Sequence, residues 1–165
     1  MQTMSKRASR PFAVVLTAVM ATAACGDSPT EPPPFEVIEE VEFHESLGVD
    51  LDQMTETESG LYYQDLVEGD GAEATSGAEV TLHYLGRLRN GEPFDSTEVG
   101  DPFTFTVDND EVIDGFDEGV LGMRVGGERK IVIPPELAYG VRGSQGILVF
   151  DLELVEVVVP EPDES

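Results

Sequence analysis

Tryptophan is absent from this 165-residue chain, cysteine occurs once, histidine twice, and 9 lysines and arginines stand against 34 aspartates and glutamates. Each scarcity excludes something. Cys25 alone cannot form an intramolecular disulfide, and His44 and His83, far apart and without a cysteine pair, lack the ligand spacing of a zinc site. The formal charge of −25 repels nucleic acid and anionic headgroups and fits a strongly solvated surface. "DNDEVIDG" brings Asp108, Asp110 and Asp114 together, but a calcium loop starting at Asp108 needs glycine where Ile113 stands and glutamate where Gly119 stands. "GVRGSQG" lacks the lysine and the strand-to-helix setting of a phosphate loop, and Ser144 has no histidine in a recognisable nucleophile arrangement. Neither a metal nor a cofactor is expected, and no covalent intermediate.

Long apolar runs are equally scarce. The first is "FAVVLTAVMATAA", Phe12 to Ala24, preceded by Lys6, Arg7 and Arg10. It falls short of the roughly 20 apolar residues that span a bilayer and reads as an export signal over residues 1–24. "TAACGDS" then resembles the lipobox of bacterial lipoproteins, in which the cysteine becomes the lipidated N-terminus; Thr22 departs from the leucine usual there. Ordinary signal cleavage is the alternative. It would leave Cys25 a free, reactive thiol in an oxidising compartment. The expected location is a bacterial cell envelope, lipid-anchored and facing the periplasm or exterior.

Residues 25–59 read as an acidic, proline-rich tether. "SPTEPPP" is extended and semi-stiff, and no lysine or arginine occurs between Gly26 and Gly60. Yet Val37, Ile38, Val41, Phe43, Leu47, Val49, Leu51 and Met54 are more apolar groups than a disordered spacer needs, so part of the segment is available to pack on the domain or on a second copy. The oligomeric expectation is accordingly a monomer or a weak dimer.

The folded part is expected over residues 60–158, followed by an unstructured acidic tail, 159–165. "GLYYQDLVEG" has strand character and closes on a glycine turn signal. "AEVTLHYLGRLRNGEPFDS" alternates Val80, Leu82 and Tyr84 and then meets Asn90-Gly91, the commonest two-residue hairpin signal. "DPFTFTV" gives a strand with an aromatic face. Val112, Ile113, Phe116, Val120, Leu121 and Met123 recur at spacings of three and four, predicting a short amphipathic helix in which Gly115 and Gly119 permit close packing. "GGERKIVIPP" and "ILVFDLELVEVVV" are further strands. The class is α+β: a twisted antiparallel sheet wrapped around one short helix.

What remains for function is aromatic. Tyr84, Phe94, Phe103, Phe105, Phe116, Tyr139 and Phe150 fall on the sheet, the helix and a loop mouth; composition alone favours a plain core over a pocket. The order of "VTLHYLGRLRNGEPFDST", "PFTFTV", "EVIDGFDEGVLGMRVGGERKIVIPPELAYG" and "LVFDLEL" resembles the FK506-binding-protein type of peptidyl-prolyl cis-trans isomerase. The resemblance implies a sheet curled over a helix with a ligand pocket between them. It makes Phe116 the floor, where that family more often has tryptophan, and Tyr84, Phe94, Phe103, Val112 and Phe150 the walls. Asp95 and Tyr139 become polar groups at the rim, the Ile113 N–H a donor to a substrate carbonyl, and Ile147 a further contact.

The implied activity is Xaa-Pro isomerisation in exported chains. Proline-containing polypeptides are its partners, and macrolides of the FK506 type are potential ligands. One departure stands out: after Tyr139-Gly140 the family carries a longer segment with "IPP" before the final strand, whereas here Ile147 joins directly to Leu148. A shortened lid leaves open a non-catalytic module that holds proline segments, and a structural lipoprotein with an unused pocket.

Overall fold

A computed structural model describes residues 37–97, 101–140 and 145–160, all within one folding unit, Glu31–Ser165. Cys25, the export leader and residues 161–165 lie outside the described residues. The strands are β1 (Thr55–Glu56), β2 (Tyr62–Val67), β3 (Glu79–Leu88), β4 (Pro93–Ser96), β5 (Phe103–Thr106), β6 (Glu128–Ile133) and β7 (Leu148–Val158), with one helix, α1 (Asp114–Val120). They form one antiparallel sheet in the order β1-β2-β6-β7-β3-β4, with β5 also paired to β3. The last strand therefore lies inside the sheet. Its apolar run explains the position, because both of its faces are covered: Leu148, Phe150, Leu152 and Leu154 enter one cluster, Ile147 and Val149 another.

The two faces bury different partners. On the concave face, Val80 and Leu82 of β3, Ile131 and Ile133 of β6 and Leu148, Phe150, Leu152 and Leu154 of β7 pack around Phe116 and Val120 of α1. Gly115 and Gly119 carry out the expected close approach. A Cβ at Gly115 would come 2.3 Å from Ile133 Cγ2, and one at Gly119 would come 2.7 Å from Ile131 Cδ1. The helix is shorter than the apolar spacing suggests, because Gly122 takes φ 76° and turns the chain away.

Arg129, only 7% exposed, ties α1 to β6. Its guanidinium donates to Asp65 at 2.6 and 3.1 Å, and to the carbonyls of Gly119 and Leu121 at 3.1 and 3.0 Å, at the C-terminal end of α1. It also lies 4.6 Å over the Tyr63 ring, so the buried cation is fully partnered. In the middle of α1, the buried Asp117 accepts the Asp108 N–H at 3.0 Å. Burial pushes its carboxyl up from the ordinary aspartate range, and the nearby Asp108, Asp110 and Asp114 add to the shift against the lowering effect of that hydrogen bond.

One expectation changes. The Asn90-Gly91 pair does not form a two-residue loop. Leu88 N–H donates to the Glu92 carbonyl at 2.8 Å and Gly91 N–H to the Leu88 carbonyl at 2.8 Å, enclosing the three residues Arg89 to Gly91, with φ 88° at Gly91 alone. The apolar residues before Gly60 pack on the domain, one of the two placements their number suggests. Ile38 and Leu47 are buried against Tyr62, Val132, Ile147 and Val149 on the convex face, flanked by Val41, Phe43, Val49, Leu51 and Met54. Three short 3-10 turns, Ile38–Glu40, Glu45–Leu47 and Leu51–Gln53, curve this segment over the sheet. The Tyr62 hydroxyl donates to Glu39, and Arg87 donates to the Ser46 carbonyl at 3.2 Å.

Leu47 is 1% exposed, so Leu47→Ala is expected to lower the unfolding free energy by about 2–5 kcal/mol. Urea denaturation checks this; an unchanged midpoint would mean that the segment adds nothing to the fold. Asp117 gives a pH prediction. Its raised folded-state value means that the ionised form destabilises the fold, with the loss setting in as pH rises through that value. Asp117→Asn should therefore unfold at higher urea than the parent at neutral pH, with the advantage shrinking on acidification.

Candidate active site

The site begins with strand alternation. Tyr84 follows Val80 and Leu82 on the concave side of β3, and the next inward position is Gly86. A Cβ there would lie 2.7 Å from Phe150 Cε1 and 2.9 Å from Phe94 Cζ, so the missing side chain is what admits those two rings. Phe94 comes from β4, Phe103 from β5 and Phe150 from β7, while α1 presents Phe116, 4% exposed, from below.

The rings hold one another edge to face. Phe116 meets Phe150 at 5.2 Å and 79° and Tyr84 at 5.6 Å and 79°; Tyr84 meets Phe103 at 5.9 Å, and Phe94 meets Phe150 at 5.5 Å. Behind them Phe105 stacks on Phe103 at 5.5 Å and 21°. Pairs of this geometry contribute about 0.5–1.5 kcal/mol each beyond area burial, so the cluster is stiff. The space above Phe116 is a cavity of about 410 Å³. It is lined by Tyr84, Phe94, Asp95, Phe103, Glu111, Val112, Ile113, Phe116, Tyr139 and Phe150.

Polar groups are confined to its edge. Tyr84 Oη donates to Asp95 Oδ2 at 2.9 Å, and Asp95 Oδ1 accepts the Ser96 N–H at 2.9 Å, which fixes the carboxylate. Burial, the bond to Asp95 and the negative charge behind it push the Tyr84 hydroxyl up to about 12, so it remains a hydrogen-bond donor across the physiological range. Tyr139, 58% exposed, follows the 3-10 turn Pro135–Leu137; that turn is closed by the Gly140 N–H donating to the Pro135 carbonyl at 2.8 Å. Ile113 precedes the first residue of α1, and no acceptor among the described residues takes its N–H. The arrangement offers a largely aromatic lining, an Ile113 N–H that no described residue accepts, and a rim carboxylate at Asp95 held by two donors. Among the described residues no cluster of His, Cys, Asp and Glu could hold a metal ion.

A family model described as FKBP-type peptidyl-prolyl cis-trans isomerase matches residues 71–155. The chain belongs to that family. It is similar to FK506-binding protein 4 of Emericella nidulans, 48% identical over 103 residues that cover 59% of this chain and 22% of that protein. It is also similar to a peptidyl-prolyl cis-trans isomerase of Saccharomyces cerevisiae, 46% identical over 105 residues, covering 61% and 26%. Among solved structures it is similar to AtFKBP13 (38% identity, TM-score 0.59, 64% of this chain and 98% of that one). FkpA from Escherichia coli is a further neighbour (35% identity, TM-score 0.59, 68% and 55%). The chain spans about a quarter of the length of the curated relatives it matches. The FKBP-like fold expected from the sequence, an antiparallel sheet around one short helix, is the fold found.

All the residues that the sequence assigned to the FKBP pocket line this cavity, with one exception. Ile147 is fully buried in the cluster on the opposite face of the sheet, beside Val132 and Val149. Strand parity is the reason: Leu148 and Phe150 face inward, so the residue before them faces out. Two residues were missed. Gly86 had a signal, as a glycine at an inward position of an alternating strand; Glu111 had none, since an exposed acid in an acidic loop is unremarkable. Residues 141–144, on which the shortened lid falls, lie outside the described residues.

Gly86→Ala is expected to cost about 1–3 kcal/mol by overpacking, read from urea denaturation. It should also displace the Phe94 and Phe150 rings, visible in their aromatic proton shifts, and unshifted rings would contradict the close approach.

Proposed function

We propose that this chain accelerates cis-trans isomerisation of Xaa-Pro bonds in exported polypeptides, and that it does so without proton transfer. The observation that carries the reading is the cavity above Phe116: about 410 Å³ lined largely by aromatic rings, with the Ile113 N–H, which no described residue accepts, at its edge. Rotation about a prolyl amide crosses a barrier of about 18–20 kcal/mol, because twisting destroys the resonance that makes the C–N bond partly double. The planar amide is the more dipolar form, so a water-poor aromatic wall disfavours it relative to the twisted one.

The required effect is modest. Uncatalysed exchange takes on the order of tens of seconds and ordinary enzymes turn over about 1–1,000 times per second, so the barrier must fall by only about 3–7 kcal/mol. Phe116 and its neighbours would seat the pyrrolidine ring, the Ile113 N–H would hold a substrate carbonyl, and Tyr84, Asp95 and Tyr139 would orient the backbone at the rim. These are contacts that favour the transition state over the ground state. Two of the relatives above supply the names that support the chemistry, one an isomerase and one an FK506-binding protein. Macrolides of the FK506 type are accordingly proposed as competing ligands.

A second reading, a module that holds proline segments without turning them over, is favoured by the short connection from Gly140 to Leu148. For location we propose a bacterial envelope lipoprotein, exported by the leader and attached through a lipidated Cys25. No helix among the described residues is long and apolar enough to cross a membrane. A monomer is favoured over a weak dimer, because the apolar residues before Gly60 pack on the chain's own sheet.

A protease-coupled assay on an Xaa-Pro peptide tests the activity. Phe116→Ala should lower kcat/KM by about 10- to 100-fold, equivalent to about 1.4–2.7 kcal/mol of transition-state stabilisation. Asp95→Ala, at an exposed position, should lower kcat/KM while leaving the fold intact. Peptide binding without acceleration would establish the holding module instead, and an unmodified Cys25 in mass spectra of the mature N-terminus would overturn the anchor.

A further inference from the structure

We propose that the cavity selects prolyl segments carrying lysine or arginine beside the proline, with Glu111 as the specificity-determining residue and Asp95 reinforcing it. This rests on the isomerase reading and names its substrate class. Among the described residues lining the cavity two are charged, both acidic. They arrive from separate elements: Asp95 directly follows the wall residue Phe94 on β4, and Glu111 directly precedes Val112 and Ile113 at the entry to α1.

Both carboxylates are fixed by neutral donors only. Asn109 Nδ2 donates to Glu111 Oε1 at 2.7 Å, and Asp95 receives the Tyr84 hydroxyl and the Ser96 N–H. Among the described residues neither is paired with a lysine or arginine. A proline seated on Phe116, with a neighbouring carbonyl on the Ile113 N–H, puts its flanking residues at that mouth, where Glu111 stands two positions before Ile113. A cationic side chain there gains Coulomb attraction and leaves its stem on the rim aromatics. A glutamate meets two like charges. Rim charges of this kind act on encounter rate and partner discrimination, and salt screens them.

The test uses the protease-coupled assay on the full chain with three peptides that carry lysine, leucine or glutamate on both sides of one proline. At low ionic strength kcat/KM should fall in the order lysine, leucine, glutamate, with about three- to tenfold between successive members. Added salt to about 0.5 M should compress the series. Glu111→Gln should bring the lysine-to-leucine ratio toward one and Glu111→Lys should reverse it. Glu153→Gln, on the convex face, removes a charge of the same sign elsewhere and should leave the ratio unchanged. Equal turnover of the lysine and glutamate peptides overturns the proposal, as does a ratio indifferent to Glu111→Lys or equally sensitive to Glu153→Gln. Acceleration of the leucine peptide without charge preference sinks this inference alone; acceleration of none of the three sinks the isomerase reading and this one together.

Discussion

Helix α1 lies so close to β6 that one added methyl group at Gly115 would come within 2.3 Å of an isoleucine branch. That approach sets the height of Phe116 beneath the sheet, and therefore whether there is a floor with space above it or a filled core. A helix pushed outward would carry the ring away from Tyr84 and Phe150; Arg129, tied at once to the last carbonyls of α1 and to Asp65, opposes that displacement from the far end. Short helices are marginal on their own, so the position of α1 comes from these tertiary contacts rather than from propensity, which its two glycines weaken.

The same economy governs the opposite wall. An aromatic side chain needs a neighbour that yields space, and at Gly86 the backbone itself yields it, letting Phe94 and Phe150 lean in from adjacent strands. The rings then rest on one another in edge-to-face pairs, which keep them upright around the cavity instead of collapsing into it. An apolar cavity of this kind is stable only if its lining is stiff, because dispersion contacts forgone across the gap otherwise favour closure. The convex face contributes to that stiffness. With the segment from Val37 to Met54 lying over β2, β6 and β7, the sheet is covered on both sides where the central strand runs.

Much of this was legible in the residues. Period two in "VTLHY" and "ILVFDLEL", the spacing of Phe116 from Val120, and paired glycines in the helix each follow from local geometry, and they fixed which side chains share a face. Ile147 falls outside the cavity because strand parity turns it to the face opposite Leu148 and Phe150. The hairpin at Asn90-Gly91 was read from its commonest use, whereas loop length depends on where pairing resumes, at Glu92, and sequence is silent on that. The covering of the convex face was visible only as an excess of apolar residues in an acidic stretch; their partner, the outer side of β6 and β7, is set by a strand order that no local signal reveals.

Rotation about an amide asks nothing of acids, bases or metals, and that frees the surface. In an enzyme that moves protons, a charge of −25 would bear on the affinities of its catalytic groups. Here the proposed chemistry rests on ring faces and a backbone N–H, neither of which titrates, so excess carboxylates can accumulate without disturbing it. What they can alter is who arrives. The field of an acidic domain gathers cationic segments and turns away acidic ones, and the two carboxylates at the mouth apply the same rule at contact distance. In that proposal Glu111 selects without touching the aromatic floor, which is why substitutions at Glu111 would change substrate preference while the floor keeps its geometry.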